Sequence, residues 1–420
     1  MQSDFNSSVF RAEALGRPSP ANERPADLRH KNALSERIRN ASQNDMLMVS
    51  TLAYASGAIG WRYGVCHEEL PPEYLIQQTY RSIRKHLQQS GEVEEKLLWS
   101  IYGLAAAEMW VLNFDAAATH MRAIQVLISQ LGGITKLTPL FLESIILGGK
   151  FLAIFTMAAP IPLADFEPDG LPEGWPPQSI FSTALPPELR NLGTSFFAAG
   201  DLSALDDWYR DILVDLVACV QISHYVSGRP NQSLELVHER WLYLKVQALN
   251  YRLLARTELI GMQEAVRIAT LLWVLSITDY VGAGLTALFL LPKLQAALKT
   301  AQFKEPSSSR SLPGLYFWMS SLGALVALSA AKQILISSSS PRDALYSQQF
   351  NFFSLHAAQT AHLIGLETKS DVYRTFLQTY LYLDVNGGPG GDDLKYLVET
   401  VSRIDQDSLL GIHTVEYTHI

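Results

Sequence analysis

Cysteine is nearly absent: Cys66 and Cys219 are the only two in 420 residues. They lie far apart, give no CxxC spacing for a metal, and read as two small buried hydrophobes. So low a thiol content fits a reducing compartment. Charge is sparse as well. Asp, Glu, Lys and Arg make up 18% of the chain, and the formal net charge is −8. A surface that holds nucleic acid by neutralising phosphates is basic overall or in one block, and neither is present. The usual catalytic signatures are also missing. No HExxH or GxSxG occurs among the ten histidines and the serines. "NGGPGGDD" (386–393) lacks the Gly-Lys-Ser/Thr of a phosphate-binding loop, and no strand pattern precedes it. His356 and His362 stand six apart, on different faces of a helix. No cofactor and no metal site is expected on these grounds. Residues 1–42 lack an apolar run, which excludes a secretory leader there. Their mix of Pro, Ser, Asn and both charge signs predicts a disordered tail.

What the chain does have is apolar residues at helical spacing. Hydrophobic residues make up 48% of it, enough to bury a large core. "PPEYLIQQTYRSIRKHLQQSG" opens on prolines in first-turn position and closes on Gly91. "EVEEKLLWSIYGLAAAEMWVL" carries its acids where a helix N-terminus favours them. Asp115 is the expected N-cap of "AAATHMRAIQVLISQLGG". There Ala116, Ala117, His120, Met121, Ile124, Leu127, Ile128 and Leu131 share one face, and Gly132-Gly133 ends the helix. "PLFLESIILGGKFLAIFTM" follows after a short turn, so residues 92–157 predict three antiparallel helices.

The proline-rich segment 158–178 cannot be regular helix and marks a possible lobe boundary. Further helices are predicted at 186–199, 202–227, 232–260, 263–281, 284–300, 313–336, 342–365, 371–384 and 392–404. The fold class is all-α: a large multi-helix domain over 43–385 built of antiparallel hairpins, with a C-terminal loop and short helix at 386–420.

Two features invite other readings. Asp206, Asp207 and Asp211 start one helix, and aspartates on one helical face are how all-α isoprenoid synthases hold Mg²⁺ on a diphosphate. The spacing is loose, no second metal-binding helix matches, and acids at a helix start serve the dipole equally well. Residues 268–291 are apolar apart from Asp279 and long enough to cross a bilayer. A mid-span carboxylate, with Gly282 and Gly284 suggesting a break, favours a pair of core helices over a membrane span.

The order His120, Ala123, Ile124, Leu127, Ile128, Gly132, Gly133 resembles the signature of the fungal-specific transcription factor domain. That domain is the helical regulatory region C-terminal to a zinc-cluster DNA-binding module. Pro160 and Pro162 sit where the family places a proline turn after its second helix. Glu264, Ala265, Arg267 and Ala269 are similar to a second family segment, and Trp318, Leu322 and Gly323 to a third. The departures are Gly148-Gly149-Lys150 where an acidic residue is usual, and Val266 where a cysteine is usual. With only two cysteines, the chain cannot build the zinc-cluster module.

The resemblance implies a nuclear, non-enzymatic transcriptional regulator, in the family often one of metabolic or secondary-metabolite gene clusters. Its expected partners are a second copy of itself or a DNA-binding transcription factor, with a small-molecule effector as a further option. Direct sequence-specific DNA binding and membrane association are not expected. Either the chain acts as a DNA-binding-deficient co-regulator, or its module is encoded upstream.

Overall fold

The computed structural model describes residues 39, 41–63, 68–90, 92–161, 166–168, 170, 185–198, 207–227, 232–278, 283–304, 312–333, 341–381 and 391–409. All the regular structure among the described residues is helical, with no strand among them. The chain divides into two compact units: residues 1–167 with 254–257, and residues 168–253 with 258–420. The division between Glu167 and Pro168 falls within the proline-rich segment 158–178. Of the tail expected at 1–42, only residues 39, 41 and 42 are described, and Ala41 is already buried. The rest of that expectation lies outside the described residues.

The first unit contains α1 (Asp45–Tyr63), α2 (Pro72–Gln89), α3 (Glu95–Trp110), α4 (Phe114–Gln130), a single 3₁₀ turn (Ile134–Lys136) and α5 (Pro139–Thr156). Helix α3 is the hub and packs against α1, α2, α4 and α5. Its sequence shows no amphipathic stripe because it needs none: every residue from Ile101 to Met109 is buried. The helix starts are tied together. The Glu95 carboxylate accepts from the Thr138 amide (3.1 Å), the Thr138 hydroxyl (2.5 Å) and the Trp99 indole N–H (3.2 Å). Thr138 in turn caps α5 by accepting from the Phe141 amide. One carboxylate thus fixes where α3 begins relative to α5.

The end of α4 is set by Gly132 and Gly133, with φ of 95° and 98°. The Gly133 amide donates to Ile128 and the Gly132 amide to Ser129, the paired bonds of a Schellman closure. The start differs from the sequence expectation. The N-cap is Asn113, and Asp115 lies inside the first turn. There its charge still favours the helix dipole.

The second unit holds two short helices, α6 (Pro187–Arg190) and α7 (Thr194–Ala198), then α8 (Asp207–Ser227), α9 (Gln232–Ala255), α10 (Gly261–Thr278), α11 (Ala283–Lys304), α12 (Leu312–Gln333), α13 (Pro341–Ile364), α14 (Ser370–Gln378) and α15 (Gly391–Leu409). Four predictions need correction, and one of them is the helix expected over 371–384, which ends at Gln378. The helix expected over 186–199 is broken at Gly193, whose φ is +77°. The Gly193 amide leaves the helical pattern to donate to Tyr380. The helix expected over 232–260 stops at Ala255, and α10 starts at Gly261 with φ +61°. The helix expected at 392–404 as a C-terminal appendage runs from 391 to 409. It packs on α12 and α13, and Leu394, Leu397, Val398 and Val401 are buried.

Helix α12 is this unit's hub and contacts α10, α11, α13 and α15. Helices α5 and α12 are each long and apolar enough to cross a bilayer. Burial accounts for that apolarity: 61% of the α5 window and 78% of the α12 window lie inside the protein. The segment 268–291 falls on two helices, α10 and α11, with residues 279–282 outside the description. Ile268, Leu271, Trp273 and Leu290 are buried in the core.

The pairing of α12 with α13 depends on Gly323. A Cβ there would lie 2.7 to 2.9 Å from three ring carbons of Phe353, closer than van der Waals contact allows. Gly323→Ala is therefore expected to cost about 1–3 kcal/mol in chemical denaturation, and Phe353→Leu in the same chain should recover part of that loss. Equal stability of Gly323→Ala and wild type would contradict the packing.

Candidate functional site

The first unit brings three ionisable side chains together from three helices. Tyr80 comes from α2, Glu108 from the hub helix α3 and His120 from α4. The Tyr80 hydroxyl lies 2.8 Å from His120 Nε2 and 3.2 Å from Glu108 Oε1. Asn113, the cap of α4, donates its amide to Glu108 Oε2 at 2.8 Å. Glu108 is only 4% exposed, and the Tyr80 and His120 rings sit 5.4 Å apart.

Burial shapes the protonation of all three. It pushes the Glu108 carboxyl above the usual range, while the bonds from Asn113 and Tyr80 pull it partly back. It lowers His120, which favours the neutral ring. Burial, with the adjacent Glu108 charge, raises the Tyr80 phenol to about 12. Tyr80 therefore stays protonated at neutral pH, and the three side chains form one connected hydrogen-bond network. With Glu108 ionised, the protons run one way: His120 Nε2–H donates to the Tyr80 oxygen, and Tyr80 O–H donates to Glu108. With Glu108 protonated, its O–H can donate to Tyr80, whose own proton then turns to a neutral, accepting His120. The cluster therefore locks α2, α3 and α4 together in either state.

The other residues singled out in the sequence hold backbone in place. Arg267 grips both Glu264 oxygens, at 2.6 and 2.7 Å, and donates to the Leu253 carbonyl at 3.1 Å. Its side chain is only 3% exposed, so the fork-to-carboxylate geometry is what makes burial of the charge tolerable. That bond ties α10 to the last turns of α9. The Trp318 indole donates to the Leu381 carbonyl at 3.0 Å and packs edge-on to Phe196 and stacked on Tyr380. Pro160 follows the left-handed cap Met157 at the end of α5; Pro162 lies outside the described residues. These signature positions are not gathered into one place: His120, Gly132, Gly133 and Pro160 belong to the first unit, and Glu264, Arg267, Trp318 and Gly323 to the second.

The aspartate cluster does not form a described metal site. Asp206 lies outside the described residues, and Asp207 and Asp211 are exposed on α8. Asp215, one turn on, pairs with Lys245 at 2.9 Å and Arg252 at 3.6 Å on α9. Among the described residues no three His, Cys, Asp or Glu side chains are placed to hold a metal ion.

Sequence reading singled out His120 but missed Tyr80 and Glu108. The signal for Glu108 was a lone carboxylate inside the apolar run "LAAAEMWVL". Nothing in the sequence pointed to Tyr80, 40 positions before His120. No protein-family model, curated protein or solved structure matches the chain.

The lowered His120 sets a sign for pH dependence. Its neutral form is favoured in the fold, so its contribution is present above the ordinary histidine value of 6.5 and is lost as pH falls through the lower folded value. The raised Glu108 acts oppositely: its contribution is present below 4.5 and is lost as pH rises through the raised value. Between about pH 7 and 5, the stability of the wild type is expected to fall more steeply than that of His120→Gln, read as denaturation midpoints. Parallel slopes would remove His120 from the balance. Tyr80→Phe should cost about 1–2 kcal/mol at pH 7, because it strips a partner from two buried groups at once.

Proposed function

We propose that this chain is a transcriptional regulator or co-regulator acting in the nucleus, through association with a protein partner, with a metabolic or secondary-metabolite gene cluster as its target. The reading rests on its resemblance to the fungal-specific transcription factor domain, in three segments met in family order. One observation supports carrying those segments over: wherever their polar side chains are described, they do architectural work. Arg267 with Glu264 clamps two helices, Trp318 anchors the turn at Leu381, and Gly133 closes α4. A pattern kept for architecture suits a regulatory scaffold that presents surfaces and needs no reaction centre. The sparse charge and the net −8 agree with a chain that reaches DNA through another protein.

The partner is a DNA-binding transcription factor or a second copy of the chain. The purified chain alone is expected to give no sequence-specific shift of DNA in mobility assays at physiological salt. Fused to a heterologous DNA-binding domain in a fungal cell, it should change transcription of a reporter carrying the cognate site. A reporter left unchanged would end the regulator reading, and tight specific DNA binding by the chain alone would end its co-regulator version. The genomic sequence ahead of the Met1 codon separates a co-regulator from a chain whose zinc-cluster module is encoded upstream.

A further inference from the structure

The second unit contains a cavity of about 480 Å³ between α12, α13 and α15. That volume lies within the range of small-molecule sites. Its floor is short: Ala327 and Ala331 of α12 project no further than a methyl group. Its walls are aromatic. Tyr346 and Phe350 enter from α13 and Tyr396 from α15, and the Phe350 and Tyr396 rings are 5.6 Å apart at 35°. The two rings pack on each other and together give the adjoining space an aromatic wall.

Arg403, on α15 two turns beyond Tyr396, lines the same cavity. It forms no ion pair among the described residues. Its guanidinium reaches only its own helix, at the limit of hydrogen bonding: the Glu399 carbonyl at 3.4 Å and the Thr400 hydroxyl at 3.5 Å. The contrast within this unit is informative. Arg267 has a bidentate carboxylate, and Lys332, at the end of α12, is paired with Asp393 in the first turn of α15. Arg403, exposed on α15, keeps its planar fork of donors available at the cavity, while the Thr400 hydroxyl donates to the Tyr396 carbonyl at 2.9 Å.

From the cavity, its aromatic walls and this cation, we infer that the second unit binds a small organic acid with a flat apolar body. The carboxylate is received by Arg403, and the body lies against Tyr346, Phe350 and Tyr396. Nothing in this binding requires a role in transcription, and it is read on the purified full-length chain alone.

The probe is 2-naphthoate, with 2-naphthalenemethanol as its uncharged counterpart, each titrated by calorimetry. Naphthoate is expected to saturate a single site below about 1 mM. Arg403→Gln should weaken naphthoate by about tenfold or more and change the alcohol by less than about twofold, because only the acid uses the charge. Arg403 is exposed, so this variant is expected to keep the wild-type thermal midpoint. Ala331→Phe, which fills the floor, should abolish binding of both. No saturable naphthoate binding, or equal affinity of Arg403→Gln and wild type, overturns the site. Equal weakening of acid and alcohol by Arg403→Gln overturns the assignment of an acid. A naphthoate signal that survives Ala331→Phe in a chain with an unchanged thermal midpoint places binding elsewhere and also overturns it.

Discussion

A helix buried on every side has no solvent face on which to place its polar groups. Both α3 and α12 meet that condition, and the rest of each unit is arranged around it. Between Leu97 and Met109 the buried positions of α3 include Ser100, Gly103 and the alanines 105 to 107. Those of α12 include Ser320, Ser321, Gly323, Ala324 and Ala327. Small side chains let neighbouring helices approach closely from several directions at once, as Phe353 does over Gly323. The cost is that each large neighbour must fit one hole, so the fit is sensitive to a single methyl group.

The same constraint decides what was legible in the sequence. Helix type came from apolar spacing, and the end of α4 from Gly132-Gly133, because a left-handed backbone admits few alternatives. Failures cluster where a distant contact sets the outcome. Residues 186–199 have continuous helical spacing, but the Tyr380 and Thr379 carbonyls capture the Gly193 and Ser195 amides and break the helix. The all-round apolarity that marks a hub helix is the same signal that marks a membrane span. Composition alone does not separate them; in the structure Trp273 of α10 and Leu290 of α11 are buried in the core. Asp115 gave a reasonable cap signal, but Asn113 holds that position and also bonds Glu108. That second bond joins α4 to the hub, and no local rule reports it.

The polar cluster in the first unit shows what such a hub tolerates. Glu108 is a carboxylate on α3 in a run otherwise made of apolar residues. Burial makes its charge costly, and Asn113 and Tyr80 offset part of that cost. His120 completes the set from α4. The histidine that opens the resemblance to a family therefore bonds inward, to Tyr80 of α2. Its placement argues that a signature in this chain marks how helices meet, and that chemistry must be sought where packing is incomplete.

Packing is incomplete along one line of α12. Gly323, Ala327 and Ala331 fall at intervals of four and so share a face. Opposite them α13 offers Phe353, Phe350 and Tyr346 in reverse order, as an antiparallel neighbour must. At Gly323 the aromatic ring lies directly over the helix and fills the space. Farther along, Phe350 turns toward Tyr396 of α15, and the methyl groups of Ala327 and Ala331 are left facing a cavity. A leucine in place of either alanine would fill it with apolar atoms. The chain carries alanine at both positions, and an arginine with no carboxylate partner among the described residues lines the same space. That combination places the proposed acid site at α15, away from the signature residues.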